Sequence, residues 1–239
     1  VEFYIEDTPD GFSLSSPDHI KREIAKATLD KLFKSKRALS VNRIEDVIRS
    51  ITRSVDENMN KMAVRVLREL DIDGINKKGI NTIGRLLYRY SYGQNQLYHS
   101  KEVALIAGQL AAEIGSDPKL AKRAGILHDI GKAVSVDGKA HVELGLEVIE
   151  DWNEDERVVN AIAAHHEDVQ PACIEAVLVQ IADTISSSRP GARREAITSY
   201  LELVNNLEEI AGGFEGVEKA FAIYAGRELR ILVNSDRVD

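Results

Sequence analysis

"GILHDIGK", residues 125–132, sets the problem from which the rest of the chain is read. His128 and Asp129 follow the apolar pair Ile126-Leu127, and Gly131-Lys132 comes directly after. A surface loop has no need of Ile-Leu at that point. A plain core helix gains nothing from two adjacent ionisable groups, because a buried charge without a partner is expensive. A metal ion resolves the conflict, and it requires further ligands from elsewhere in the chain.

The six histidines are His19, His99, His128, His141, His165 and His166, and five of them fall in the middle of the chain. Each of those five sits on or beside an apolar stripe. His99 is followed by Val103, Ile106 and Leu110, at offsets of four, seven and eleven. His128 continues the Leu120, Ala124 face, and His141 opens a segment carrying Gly145 and Ile149. His165 follows Val158 and Ile162, and Asp183 extends the Ala176, Val179 series. Side chains on such stripes point into a bundle, where inward groups on facing helices can build a metal site. Singly, each has a plain explanation: a hydrogen-bonded core histidine, an aspartate cap, a chance His-Asp pair. The conjunction on five successive helices argues for a metal site. Imidazole and carboxylate without a thiolate cluster suit Fe, Mn, Zn, Co or Ni rather than an iron–sulfur centre. Cys173 reads as a small buried residue, and His19, outside the set, as a solvated one.

The surrounding chain reads as α+β with a mainly helical core. Residues 1–6, "VEFYIE", alternate like a half-buried strand; "TPDG" at 8–11 is a turn and "FSLSS" a second strand, giving a hairpin. Ser16-Pro17-Asp18 opens a helix. Residues 41–70 form a long amphipathic helix with Ile44, Val47, Ile48, Ile51 and Val55 on one stripe. "DIDGINKKG" at 71–79 breaks that pattern and marks a domain boundary. Helices follow from residue 82, broken at "GSDP", "VDGK" and "VQP"; "SRPGARRE" at 188–195 begins another, and "KAFAIYAGRELRILV" reads as a closing hairpin. The expected division is 1–70, a partial domain with a connecting helix; 71–190, the helical core; and 191–239, a helix and an incomplete β element.

Composition narrows the function classes. A net charge of -8 excludes a generally basic nucleic-acid binder, so such contacts need a local patch. One cysteine excludes an internal disulfide framework and fits a reducing compartment. No apolar run reaches membrane-spanning length.

The order His99, His128-Asp129, Asp183, with "HDIGK" at its centre, resembles the HD-domain superfamily of metal-dependent phosphohydrolases. His141 and "AAHH" at 163–166 resemble its two-metal members. That resemblance implies one ion on His99, His128, Asp129 and Asp183, with Asp129 bridging to a second on His141 and either His165 or His166; His165 is favoured by its spacing after "NAIAA". More closely, "GRLLYRYSYGQNQLYHSKEVA", "LAKRAGILHDIGKA", "VVNAIAAHHEDVQP", "EAVLVQIADTISSSRPGARRE" and "FEGVEKAFAIYAGRELRILV" are similar to the ribonuclease Y family of bacterial endoribonucleases. The opening 32 residues resemble the second half of that family's KH domain, without its GxxG loop. The resemblance implies the catalytic part of such a chain, with incomplete domains at both ends. It also implies Mn, Mg, Zn or Fe, with two ions, and single-stranded RNA as substrate. The products implied are 3′-hydroxyl and 5′-phosphate ends. A membrane anchor placing the whole protein at the inner face of the cell membrane, RNA-decay partners and a homodimer complete the expectation.

Two further features fit phosphate chemistry. Lys132, one turn past Asp129, can set a positive charge beside a phosphate oxygen and is expected to act in catalysis with Asp129, a solvated lysine being the plain alternative. Arg189, Arg193 and Arg194 gather in "SRPGARRE" and are expected to bind substrate, the plain alternative being pairing with Glu195 or other acids. The rival function is hydrolysis of small nucleotides or cyclic dinucleotides, against which the KH-like opening argues. A third reading, a binding module with a lost site, is weakened because every ligand position is filled.

Overall fold

The computed structural model describes residues 2–5, 12–35, 38–134, 140–190, 192, 194–214, 216–223 and 228–234. The elements in chain order are β1 (Glu2–Ile5), β2 (Phe12–Ser15), α1 (His19–Phe33), α2 (Val41–Leu70) and α3 (Lys77–Arg85). A short hairpin, β3 (Tyr90–Ser91) and β4 (Gln94–Asn95), precedes α4 (Gln96–Glu113) and α5 (Pro118–Leu127). Then come α6 (His141–Ile149), α7 (Glu156–Ala164), α8 (Ile174–Ser188), α9 (Arg194–Gly212), β5 (Val217–Ile223) and β6 (Glu228–Val233). The class is α+β, mainly helical, as the patterning predicts.

The opening strands pair antiparallel, with Glu2 opposite Ser15 and Ile5 opposite Phe12. The "TPDG" and "VDGK" turns lie outside the described residues. Asp18 caps α1, its Oδ1 accepting from the Ile20 and Lys21 amides at 2.9 and 3.1 Å. Ser40 caps α2 in the same way. α2 spans the expected residues and stops where Asp71 turns left-handed at φ 58°, letting the Ile72 amide reach the Leu67 carbonyl. Its apolar stripe is covered progressively: Ile44, Val47 and Ile51 are half-buried and Val55 buried, while Ile48 stays exposed. Ile20 of α1 joins Val55 and Met59 of α2 in a small cluster.

The main core gathers Leu67 and Leu70 of α2 with Ile83, Val103, Ile126, Ile162 and Val179 from the following helices. Cys173 packs against it but is half-buried rather than buried as expected, because it lies at the edge of the core. Residues on both sides of the 70/71 boundary belong to one compact unit, Val1–Tyr90 with Asn95–Thr184. The second unit comprises Ser91–Gln94 and Ile185–Asp239. In it, α9 packs on the antiparallel pair β5–β6, the closing hairpin; the Ala225-Gly226 turn is outside the described residues.

The helix carrying His128 lies unusually close to the helix carrying His99. A Cβ on Gly125 would come 2.6 Å from the Ala104 Cα and 2.8 Å from its backbone nitrogen. Backbone cannot rotate aside as a side chain can, so α4 and α5 require glycine at this crossing. Gly125→Ala is expected to destabilise the protein by about 1–3 kcal/mol despite alanine's better helix propensity. Urea unfolding followed by circular dichroism checks this; an unchanged midpoint would mean that α5 can move off α4 freely.

Candidate metal centre

α4, α5, α6, α7 and α8 deliver His99, His128, His141, His165 and Asp183 to one place in the first unit, and Asp129 follows α5 directly. His99 sits one turn into α4, above the buried Val103 and Ala107. His128 and His165 occupy the residue just past α5 and α7. Each ring turns back on its own helix: His128 Nδ1 lies 2.8 Å from the Gly125 carbonyl, and His165 Nδ1 2.7 Å from the Ile162 carbonyl. A carbonyl only accepts, so Nδ1 carries the proton in both rings. In the neutral tautomer Nε2 is then a lone pair, aimed into the cluster.

The geometry divides around Asp129. Its Oδ2 lies 3.2 Å from His128 Nε2 and 3.7 Å from His99 Nε2. Asp183 Oδ1 closes this group at 3.1 Å from His99 Nε2 and 4.0 Å from His128 Nε2. On the other side, Asp129 Oδ1 lies 3.4 Å from His141 Nε2 and 3.7 Å from His165 Nε2. His141 Nε2 is in turn 3.4 Å from His165 Nε2 and 2.9 Å from His166 Nε2. Two sets of ligand atoms, His99/His128/Asp183 and His141/His165/His166, each lie within 4.8 Å of one another. Lys132 Nζ stands 2.6 Å from Asp129 Oδ2.

A divalent cation fits this donor set on two counts. His128 Nε2, Asp129 Oδ1 and Asp183 Oδ1 are buried and make no aligned hydrogen bond, a costly state for three groups in one place. Several basic nitrogens also face each other and face carboxylates, an arrangement that a shared positive charge relieves. The protonation equilibria lean the same way. Burial opposes ionisation of Asp129, but His128, His165 and Lys132 outweigh it and hold the carboxyl well below the usual range. Burial likewise opposes Asp183, yet His99 and His128 bring it down to about 2. His141 is pushed down to about 4, chiefly by burial, with Lys132 and His165 adding to it against Asp129. Burial also lowers His99 and His166. His128 is the exception: burial works against its charge, but Asp129 and Asp183 raise it. A proton there offsets the buried carboxylates, and a bound cation would displace it.

All six expected ligands converge, and Lys132 joins them. His166 converges too, so both histidines of the "HH" pair reach His141 and geometry does not choose between them. Arg189 is exposed just past α8, in the second unit. Arg193 lies outside the described residues; Arg194 is the first residue of α9, its side chain likewise outside them. His19 corrects the expectation of a solvated residue: it is half-buried, with Arg22 Nη2 3.1 Å from its Nδ1 and Arg89 Nη1 against its Nε2. Arg89 lies 70 residues away, beyond the reach of any local pattern around His19.

Helix-borne histidines and aspartates in this order are the pattern of an HD domain, and residues 97–188 match the HD domain family model. Over all of its 239 residues the chain is 48% identical to the proteins named ribonuclease Y of Treponema denticola and Treponema pallidum. It is 47% identical over 241 aligned positions to ribonuclease Y of Bacillus thuringiensis. The chain spans about half the length of these curated relatives: 47% of the Treponema proteins and 46% of the Bacillus one. No solved structure shows a significant match to the chain.

The glycine of "HDIGK" has a spatial explanation. A Cβ on Gly131 would come 1.8 Å from the His141 carbonyl oxygen and 2.6 Å from the Gly145 amide nitrogen. Glycine at 131 therefore lets the turn after Asp129 touch the start of α6, which carries His141. Gly131→Ala is expected to displace α6, lower stability by about 1–3 kcal/mol or more, and shrink the rise in melting temperature produced by Mn²⁺. Thermal unfolding with and without Mn²⁺ reads both effects; a variant with an undiminished Mn²⁺ response would separate His141 from ion binding.

Proposed function

We propose that this chain is the catalytic part of a metal-dependent endoribonuclease that hydrolyses internal phosphodiesters of single-stranded RNA, in mRNA decay and processing. The observation that carries the proposal is the buried Asp129, whose two oxygens face two different nitrogen clusters. The relatives' name, ribonuclease Y, supports RNA as the substrate class.

In this reading His99, His128, Asp129 and Asp183 hold one ion, and Asp129, His141 and His165 hold a second, with His166 a further candidate beside His165. Nitrogen-rich donors favour Mn, Fe or Zn over Mg, which prefers oxygen ligands. When bound, a divalent ion activates water near neutral pH and neutralises phosphate charge. The chain's own part is positional. The carbonyls of Gly125 and Ile162 lock two imidazoles in the tautomer that ligates. Lys132 keeps a positive charge at Asp129, where a non-bridging phosphate oxygen would arrive. Water adds to phosphorus, the ribose 3′-oxygen departs and takes up a proton, and the ends are a 3′-hydroxyl and a 5′-phosphate. Arg189, Arg193 and Arg194 are proposed to hold the RNA.

The segment division 1–70, 71–190 and 191–239 is retained as a proposal about kinship, the first part deriving from a KH domain. No helix among the described residues is long and apolar enough to cross a membrane. A membrane anchor, RNA-decay partners and a homodimer are proposed for the whole protein.

Incubation with labelled single-stranded RNA or a cyclic dinucleotide, each with Mn²⁺ and with EDTA, tests the reading. RNA is expected to be cut internally with Mn²⁺ alone. Cleavage of only the dinucleotide would move the protein to the small-nucleotide phosphohydrolases. His128→Ala and Asp129→Ala are each expected to lose more than the roughly 10–100-fold typical of a change behind the ligands, with helical content kept. Near-normal cleavage by either would remove the site from the chemistry.

Metal analysis after gel filtration in Mn²⁺ is expected to give two ions per chain, and one in His141→Ala. A single ion in the parent protein would leave His141, His165 and His166 as packing residues.

A further inference from the structure

Beside the metal centre lies a cavity of about 100 Å³, in which four basic residues, His19, Arg85, Arg89 and Lys132, meet one acid, Asp18. That volume is several times the roughly 10–15 Å³ that one water needs. The acid is occupied: Asp18 Oδ1 accepts two amides at the start of α1. The cations are not balanced among themselves. Arg89 and Arg22 each point a guanidinium nitrogen at one nitrogen of the same His19 ring. A neutral imidazole has a single acceptor nitrogen, so it cannot serve both arginines. A protonated one serves neither and adds a third positive charge. Arg89 Nε is buried and has no hydrogen-bond partner. Arg85 is fixed at the wall by its Nε bond to the Ala133 carbonyl at 2.9 Å.

Half-buried cations with an unmet buried donor, facing a single carboxylate already bonded to two amides, call for an anion with several acceptor oxygens. Guanidinium groups match phosphate in shape and charge. Lys132 ties the cavity to the metal centre, since it lines the one and touches Asp129 in the other. We infer that the cavity bounded by His19, Arg85, Arg89 and Lys132 is a subsite for the internal backbone phosphate next to the bond that is cut. This rests on the endoribonuclease reading above. The subsite explains how a chain of net charge -8 can hold RNA in register: contacts to a neighbouring phosphate position the strand without reading its bases. It also gives the start of α1, in the KH-like opening, a role at the catalytic unit.

The test compares the parent protein with Arg89→Ala and Arg89→Lys on three substrates in Mn²⁺. The first is an RNA oligonucleotide with one mapped cleavage site. The second is the same RNA with one uncharged methylphosphonate at either linkage flanking that site. The third is bis-p-nitrophenyl phosphate, a diester with no second phosphate. Arg89→Ala is expected to raise KM for RNA about tenfold, the scale of one charge-assisted contact, and to leave the small diester unaffected. One of the two methylphosphonates should weaken the parent equally and weaken Arg89→Ala no further. Arg89→Lys should recover part of the loss. Additive losses, an equal loss on the small diester, or no loss on RNA would each overturn the subsite. So would a parent protein that responds to a 5′-terminal phosphate and ignores the internal substitution. Failure of the parent to cut any RNA while hydrolysing the small diester would instead sink the endoribonuclease reading itself. Melting temperatures of both variants separate a misfolded protein from a lost contact.

Discussion

Asp129 is almost wholly buried, and nothing in an apolar core tolerates a lone carboxylate. Its surroundings are built to tolerate this one. His128 and His99 approach one oxygen together with the Lys132 ammonium; His141 and His165 approach the other. Four helices, α4 to α7, must therefore end or pass within a few ångströms of a single side chain, and this requirement constrains how they pack. The apolar stripes supply the burial free energy; the carboxylate sets where along each stripe the helices must register.

Meeting that requirement takes close backbone approaches that larger residues would forbid. Gly125 brings α5 onto α4, so that His128 and His99 can face the same oxygen. Gly131 brings the turn after Asp129 onto α6, so that His141 can face the other. The two glycines of "GILHDIGK" are thus spacers for its charged residues. On the far side of that turn, Arg85 holds the Ala133 carbonyl, next to the lysine that stands between the histidine–aspartate cluster and the basic cavity.

Much of this was legible along the chain because it is local. Alternation gave both terminal hairpins, Asp18 announced the start of α1, and the stripe from Ile44 to Val55 marked α2. The convergence of these side chains was legible for the same reason, since each histidine of the proposed set extended a helical series that its own helix buries. What could not be read depends on distant partners. His19 looked like a surface residue because the arginine against it comes 70 positions later. The approach of His166, beside His165, to His141 depends on how α6 faces α7. The reason for Gly131 is a distance to the His141 carbonyl, which no periodicity encodes. The arginines at 193 and 194 belong to a segment whose side chains are not described, and their part stays with the proposal.

The placement of His128 and His165 at the ends of α5 and α7 carries one more consequence. A helix gathers a partial negative charge at its carboxyl end, of the order of half an elementary charge. Two such ends meet here, and the carbonyls of Gly125 and Ile162 accept from Nδ1–H, which leaves each Nε2 lone pair turned toward the cluster. On the side of His128 and His165 the peptide backbone thus adds a partial negative charge to those of Asp129 and Asp183, while the start of α6 at His141 adds the opposite sign. Salt screens these charges little at this depth. That side of the pocket favours a cation over an anion.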